Sequence, residues 1–150
     1  LQQLRDKNLP MPACFVSITG WFDLSVSGEP VNGRDPFLTP EWVRNRGRDY
    51  LAGQVSLDDP RVSPAYADLT GLPAMYLQIG QFDAVREGAL RLAINALRCG
   101  VSVTMESWPG MIQGWHGLAN AGVPEAVEAW MRIGDFIRQS AHLEQTHTLD

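Results

Sequence analysis

Apolar positions in this chain fall into short runs that alternate with longer amphipathic stretches. Residues 13–19, Ala13-Cys14-Phe15-Val16-Ser17-Ile18-Thr19, are β-branched and aromatic without clean polar alternation. That pattern predicts a strand buried on both faces. Residues 74–79, Ala74-Met75-Tyr76-Leu77-Gln78-Ile79, predict a second buried strand. Residues 101–106 alternate apolar and polar side chains, as a more exposed strand does.

Between these runs the period lengthens. Thr39-Pro40-Glu41 combines a capping hydroxyl, a first-turn proline and an acid near the positive helix end, which predicts a helix to about Leu51. Residues 85–98 carry Leu90, Ala93, Ile94 and Leu97 on one face, and Gly100 stands where a C-terminal cap belongs. Pro124 opens a last helix whose predicted apolar side is Val127, Trp130, Gly134 and Ile137, widened by Ile133 and Phe136. Residues 1–7 read as the end of a helix stopped by Pro10 and Pro12. Residues 141–150 read as a polar tail behind a domain of residues 1–140.

Strands alternating with helices place the chain in the α/β class, with about three parallel strands and flanking helices. Such a sheet is narrow, and nothing upstream in these residues pairs the first strand. An uncovered parallel edge invites a second copy or strands supplied from elsewhere.

Composition narrows the picture. A length of 150 residues suits one compact domain. Apolar residues at 45% against 19% charged exclude a wholly disordered chain. A net charge of −5 argues against a nucleic-acid partner, which usually meets a basic face. No apolar run is long enough for a membrane span, and no basic segment leads into an apolar one as in a secretory signal, so a cytoplasmic location is expected. Cys14 and Cys99 are too few for a disulfide framework or a cysteine zinc site. With no metal-spaced histidine pair, phosphate loop or dinucleotide glycine motif, no cofactor and no metal are expected.

Candidate chemistry gathers on two loops. Asp83 follows the second strand in Gly80-Gln81-Phe82-Asp83, and His116 follows the third in the glycine-rich residues 108–117. Active groups in α/β sheets collect beyond the carboxyl ends of strands. An Asp and a His on neighbouring strand-end loops can act as the acid and base of a hydrolytic triad. Asp83 can equally cap the helix that starts near Val85, and spacing alone leaves both roles open. His142 and His147 read as solvated. No Ser stands in G-x-S-x-G, and no H-G-G run is present. Cys14 and Cys99 read as small apolar residues rather than nucleophiles, and Arg44, Arg46 and Arg48 as a solvated helix face.

Several motifs in order carry a resemblance: Trp21-Phe22-Asp23-Leu24, Leu38-Thr39-Pro40-Glu41-Trp42, Ser63-Pro64-Ala65-Tyr66-Ala67-Asp68-Leu69, Leu72-Pro73 leading to Gly80-Gln81-Phe82-Asp83, and Trp108-Pro109-Gly110-Met111. From Leu1 to about Arg138 the chain resembles the C-terminal half of the hormone-sensitive-lipase-like α/β hydrolases, a group of bacterial esterases and lipases. The resemblance implies the C-terminal portion of an α/β-hydrolase fold. It also implies carboxylic ester hydrolysis through a Ser-His-Asp triad acting on a small ester or acyl substrate, with Asp83 at the acid position. The family's base position falls in Gly110-Met111-Ile112-Gln113-Gly114 and is held by Gln113, with His116 three residues later. A carboxamide cannot take the proton of a nucleophilic Ser at neutral pH. The family's nucleophile elbow and oxyanion loop belong to its N-terminal half and are not in these residues, and the chain opens on Leu1 rather than Met. The expectation is therefore a chain inactive by itself, with His116 as the candidate substitute base. The alternatives are a non-catalytic remnant, or one half of a split hydrolase that binds an N-terminal partner or a second copy through the open sheet edge.

Overall fold

The computed structural model describes residues 1–28 and 35–147, with side chains through residue 141. The chain runs α1 (Gln2–Asp6), β1 (Cys14–Ile18), α2 (Pro40–Leu51), β2 (Ala74–Gly80), α3 (Arg86–Arg98), β3 (Val103–Trp108) and α4 (Pro124–His147). Short 3-10 segments lie at Pro64–Tyr66 and Trp115–Ala121. The strands form one parallel sheet in the order β1-β2-β3, with Ser17 opposite Leu77 and Leu77 opposite Met105. The α/β class, the three parallel strands and the flanking helices are as the sequence predicts.

Alternation along β2 assigns its two faces. Met75, Leu77 and Ile79 join Leu69, Leu72 and Leu92 in the main core beneath α3. On the other face Tyr76 stacks on Phe136 of α4 at 5.1 Å, and Gln78 donates to the Ala129 carbonyl at 3.3 Å. The central strand is thus paired on both edges and covered on both sides, which is why its run is almost wholly apolar.

The helix faces match the prediction only in part: Leu90, Ala93 and Ile133 pack inward and Phe136 stacks on Tyr76 as expected, but the larger apolar positions beside them do not. On α3 the buried residues are Gly88, Ala89, Leu92, Ala93 and Ala96, while Ile94 is 53% and Leu97 60% exposed. On α4 the buried residues include Ala126, Ala129 and Ile133, while Val127, Trp130 and Ile137 face outward. The cause is the same in both helices. Small side chains let the helix axis approach the sheet closely, and the larger apolar residues are rotated away from it. β3 also begins two residues later than predicted, because the Val101 N–H bonds the Ala96 carbonyl at 2.9 Å and closes α3. The backbone of α4 stays helical through His147, so the predicted polar tail is helical over most of its length. The side chains of His142 and His147 lie outside the described residues. Among the described residues no helix is long and apolar enough to cross a membrane.

Candidate active site

The end of β2 is where the two strand-end loops meet. A Cβ built on Gly80 would lie 2.5 Å from the Met111 carbonyl oxygen and 2.8 Å from that of Ile112. Only a glycine admits the loop after β3 this closely. The Gln81 N–H donates to the Trp108 carbonyl, and the Phe82 N–H to the Met111 carbonyl, each at 2.9 Å. The Gly110 N–H donates to Gln81 Oε1 at 2.9 Å. Residues 81–82 and 108–111 are therefore held together by two main-chain bonds and a third to the Gln81 side chain.

Asp83 is fully buried at this junction. Its Oδ1 accepts the Val85 N–H at 2.9 Å and shapes the turn into α3. That accounts for the helix-start role with one oxygen. The other, Oδ2, is buried and has no hydrogen-bond donor among the described residues. Burial pushes the carboxyl up to about 7; the Asp35 charge works in the same direction, and the Val85 N–H and Arg86 oppose it.

Gln113 is held from two sides. Its Nε2 donates to the Thr19 carbonyl at 2.8 Å, and its main-chain N–H donates to Asp35 Oδ2 at 3.2 Å. The next N–H, of Gly114, donates to Thr19 Oγ1 at 3.2 Å. Gln113 Oε1 is buried and without a donor among the described residues. Asp35 is itself pinned, its Oδ1 accepting the N–H groups of Phe37 and Leu38 at 2.9 and 3.1 Å. Thr19 sits at φ 48, a left-handed conformation that is uncommon for a β-branched residue and strains the backbone. Neither Thr19 nor Asp35 is among the sequence candidates. The available signals were the Thr19-Gly20 break ending the first strand and the Asp35-Pro36 turn.

His116 is placed differently. It lies on the α4 face of the sheet, where its Nε2 meets Gln78 Oε1 at 2.7 Å. Gln78 Nε2 donates to the Tyr76 hydroxyl, to Glu106 Oε2 and to the Ala129 carbonyl, which fixes its amide so that Oε1 is the acceptor. The proton of His116 is accordingly assigned to Nε2, and Nδ1 is buried without a partner among the described residues. The ring packs 3.8 Å from Trp115 and 5.9 Å from Trp130, centroid to centroid. Burial pulls the imidazole down to about 4, so it is neutral at neutral pH. No hydrogen bond joins His116 to Asp83 or Gln113. The structure thus brings Asp83's loop and Gln113's loop together and seats His116 on a separate polar chain that runs through Gln78 to Glu106 and Arg132.

The aromatic side chains around these loops divide in the same manner. Trp115 is buried against Trp108, and Phe22 lies in the main core. Trp21 meets Trp42 edge to face at 5.9 Å, and Phe37 is 73% exposed. A depression of about 530 Å³ lies beside α1 on the α3 side of β1, lined in part by Leu1, Leu4, Phe15, Trp21 and Leu92. It contains none of Asp83, Gln113 and His116.

Comparison with known proteins agrees with this architecture. The family model described as the alpha/beta hydrolase fold matches residues 1–117. An acetyl-hydrolase of Streptomyces hygroscopicus is 38% identical over 144 residues, covering 92% of this chain and 46% of that protein. An esterase of Acinetobacter venetianus is 30% identical over 138 residues, covering 89% of this chain and 45% of that one. Among solved structures, an esterase from the bacterial hormone-sensitive lipase family superposes with a TM-score of 0.87 at 33% identity, over 92% of this chain and 47% of its own. The chain spans about half the length of the relatives it matches. On this evidence of sequence and fold together, the chain belongs to the α/β-hydrolase family, in its hormone-sensitive-lipase-like esterase and lipase branch.

Proposed function

We propose that this chain carries the acid-and-base portion of a carboxylic ester hydrolase site, that Asp83 is the acid, and that position 113 is the base position, made catalytically silent by Gln113. The observation that carries this reading is the buried, open Oδ2 of Asp83 on a loop zipped to the loop of Gln113. In a triad that oxygen accepts the Nδ1–H of the base and orients it. Glutamine offers no atom basic enough to take a proton from a Ser hydroxyl, so the 150-residue chain does not hydrolyse esters by itself. A nucleophilic Ser and an oxyanion loop would have to come from outside these residues. The relatives named acetyl-hydrolase and esterase support a small ester or acyl compound as the substrate of a completed site.

His116 is a support rather than the base in this reading. To serve as base it would have to leave Gln78 and the face of Trp115, and its neutral ring is already committed through Nε2. A second reading, one half of a split hydrolase, is favoured by a separate observation: β1 is an edge strand among the described residues, and its Ile18 is 36% exposed.

The test joins the chain to the N-terminal half of the Streptomyces hygroscopicus acetyl-hydrolase and follows hydrolysis of p-nitrophenyl acetate. Restoring a general base by Gln113→His is expected to raise kcat/KM by about 10²–10⁴-fold. In that background His116→Ala is expected to cost less than about tenfold, since it removes packing and not the proton acceptor. No gain from Gln113→His would overturn the assignment of position 113. Loss of all activity on His116→Ala would return the base role to His116.

A further inference from the structure

Two buried acceptors at the candidate site lack donors. They are Asp83 Oδ2 and Gln113 Oε1, and each is without a partner among the described residues. Their loops are bonded to each other at Gln81–Trp108 and Phe82–Met111. Asp35 links them again, because its Oδ2 accepts the Gln113 N–H while its charge acts on Asp83. The Gln113 amide cannot turn over to supply a donor: its Nε2 holds the Thr19 carbonyl at 2.8 Å, and a reversed amide would set oxygen against oxygen. Two acceptors buried without donors are costly, and one proton removes both deficits.

We propose that Asp83 is held as a neutral carboxylic acid whose Oδ2–H donates to Oε1 of Gln113, so that a carboxylic acid–carboxamide pair stands where the family's acid–base pair would be. This rests on position 113 being the base position. The hydrogen bond runs opposite to that of a triad. There the acid accepts from the imidazole; here the acid donates and the side chain at 113 accepts. Nothing is transferred, and the proton stays on Asp83.

The electrostatic surroundings agree. Burial raises the Asp83 carboxyl, and the Asp35 carboxylate, from the segment between β1 and α2, raises it further. From α3, Arg86 works against this, but its guanidinium is engaged with the Gln81 carbonyl and Glu87. From the loop after β1, Asp23 approaches Gly88 of α3 and is bonded to Ser27 and Tyr66, with Arg91 at 3.9 Å. The facing loop, residues 110–114, brings no charged side chain. Gln113 is then not a simple loss of a base. It is an acceptor that keeps a buried acid satisfied in the absence of a cation or an imidazole, and the locked proton leaves Asp83 unable to orient any base.

The intact 150-residue chain is labelled with 13C at the aspartate carboxyls and titrated by NMR from about pH 4 to about pH 9. The Asp83 resonance is identified by its loss in Asp83→Asn, or by sequential assignment of the unsubstituted chain if that variant does not fold. A midpoint near neutrality that falls by about two units or more in Gln113→His supports the pair, because an imidazole at 113 takes over as donor and favours the carboxylate. A midpoint in the ordinary aspartate range in the unsubstituted chain overturns the inference; if it still moves with Gln113→His, the base-position reading survives alone. A midpoint near neutrality that ignores the residue at 113 overturns both, since Asp83 then does not face that position.

Discussion

At the scale of single residues, Asp83 and His116 are buried groups whose responses to pH oppose each other. The His116 imidazole is pulled down to about 4 by burial, against about 6.5 when unfolded. Its contribution to stability is complete above the unfolded value and is lost as pH falls toward 4. The Asp83 carboxyl is pushed up to about 7 by burial and by Asp35, against about 3.9 when unfolded. Its contribution is complete below the unfolded value and is lost as pH rises toward 7. Between about pH 4 and 6.5 each group tilts stability by up to about 1.4 kcal/mol per pH unit, in opposite senses, so the contributions of these two groups nearly cancel there. Asp83→Asn should unmask a rise with pH, and His116→Gln, which keeps a donor toward Gln78, should unmask a fall. Urea unfolding at a series of pH values reads both slopes, and profiles that stay parallel to the unsubstituted chain would contradict the assignment. Sequence reaches Asp83 and Gln113 because both follow strands and stand inside recognisable runs. It does not reach what holds them. Gln78, a polar residue in an apolar strand, is the signal that His116 has a partner inside the sheet, and periodicity alone does not name that partner. Thr19 and Asp35 act across 94 and 78 residues of sequence, and no local pattern encodes such a bond.

At the scale of elements, caps and breakers are legible, and faces only in part. Thr39 Oγ1 accepts the Trp42 N–H at 3.1 Å, Pro40 opens α2, and Gly100 takes a positive φ after α3. These are local rules, and sequence states them directly. Which face of α3 is buried depends on how near the helix comes to β2, and alanines permit an approach that leucines do not. Hydrophobic weight therefore pointed to Ile94 and Leu97, while packing uses Ala89, Leu92, Ala93 and Ala96. Truncation tests the difference: Leu92→Ala, at 2% exposure, is expected to cost about 2–5 kcal/mol, and Leu97→Ala about 0.5 kcal/mol or less. Equal costs by urea unfolding would restore the predicted face. The loop junction is an element-scale feature too. Gly80→Ala drives a methyl into the carbonyls of Met111 and Ile112, backbone atoms that cannot swing aside, at a cost of about 1–3 kcal/mol. Because those carbonyls belong to the loop that carries Gln113, this variant should also shift the Asp83 titration, whereas Leu92→Ala should leave it in place. A Gly80→Ala chain with full stability and an unmoved Asp83 resonance would mean that the two loops are not in contact.

At the scale of the whole molecule, the sheet has two edge strands among the described residues, β1 and β3. β2 is sheltered between its neighbours, and β3 is followed by the 3-10 segment and α4, which cover one of its faces. The Thr19 N–H reaches the Gln78 carbonyl of β2 at 3.0 Å. Alternate residues of a parallel strand bond to the same neighbour, so Ser17 and Phe15 share that direction and the main-chain groups of Val16 and Ile18 point away from β2, to a side where no strand pairs them among the described residues. Ile18 is 36% exposed at that edge, and the depression lined by Leu1, Phe15 and Trp21 lies alongside. An unpaired apolar strand edge is a template for another strand. We therefore expect the 150-residue chain to self-associate as its concentration rises, read by light scattering after size-exclusion chromatography. Ile18→Lys places a charge on the edge without touching the β2 ladder, and it should shift the chain toward monomer while leaving the Asp83 titration unchanged. The N-terminal half of the acetyl-hydrolase relative, added in excess, should compete with self-association for the same edge. A chain that stays monomeric across the concentration range would contradict this use of β1. Self-association that Ile18→Lys does not weaken would move the interface elsewhere, to the outward apolar side of α4 formed by Val127, Trp130 and Ile137.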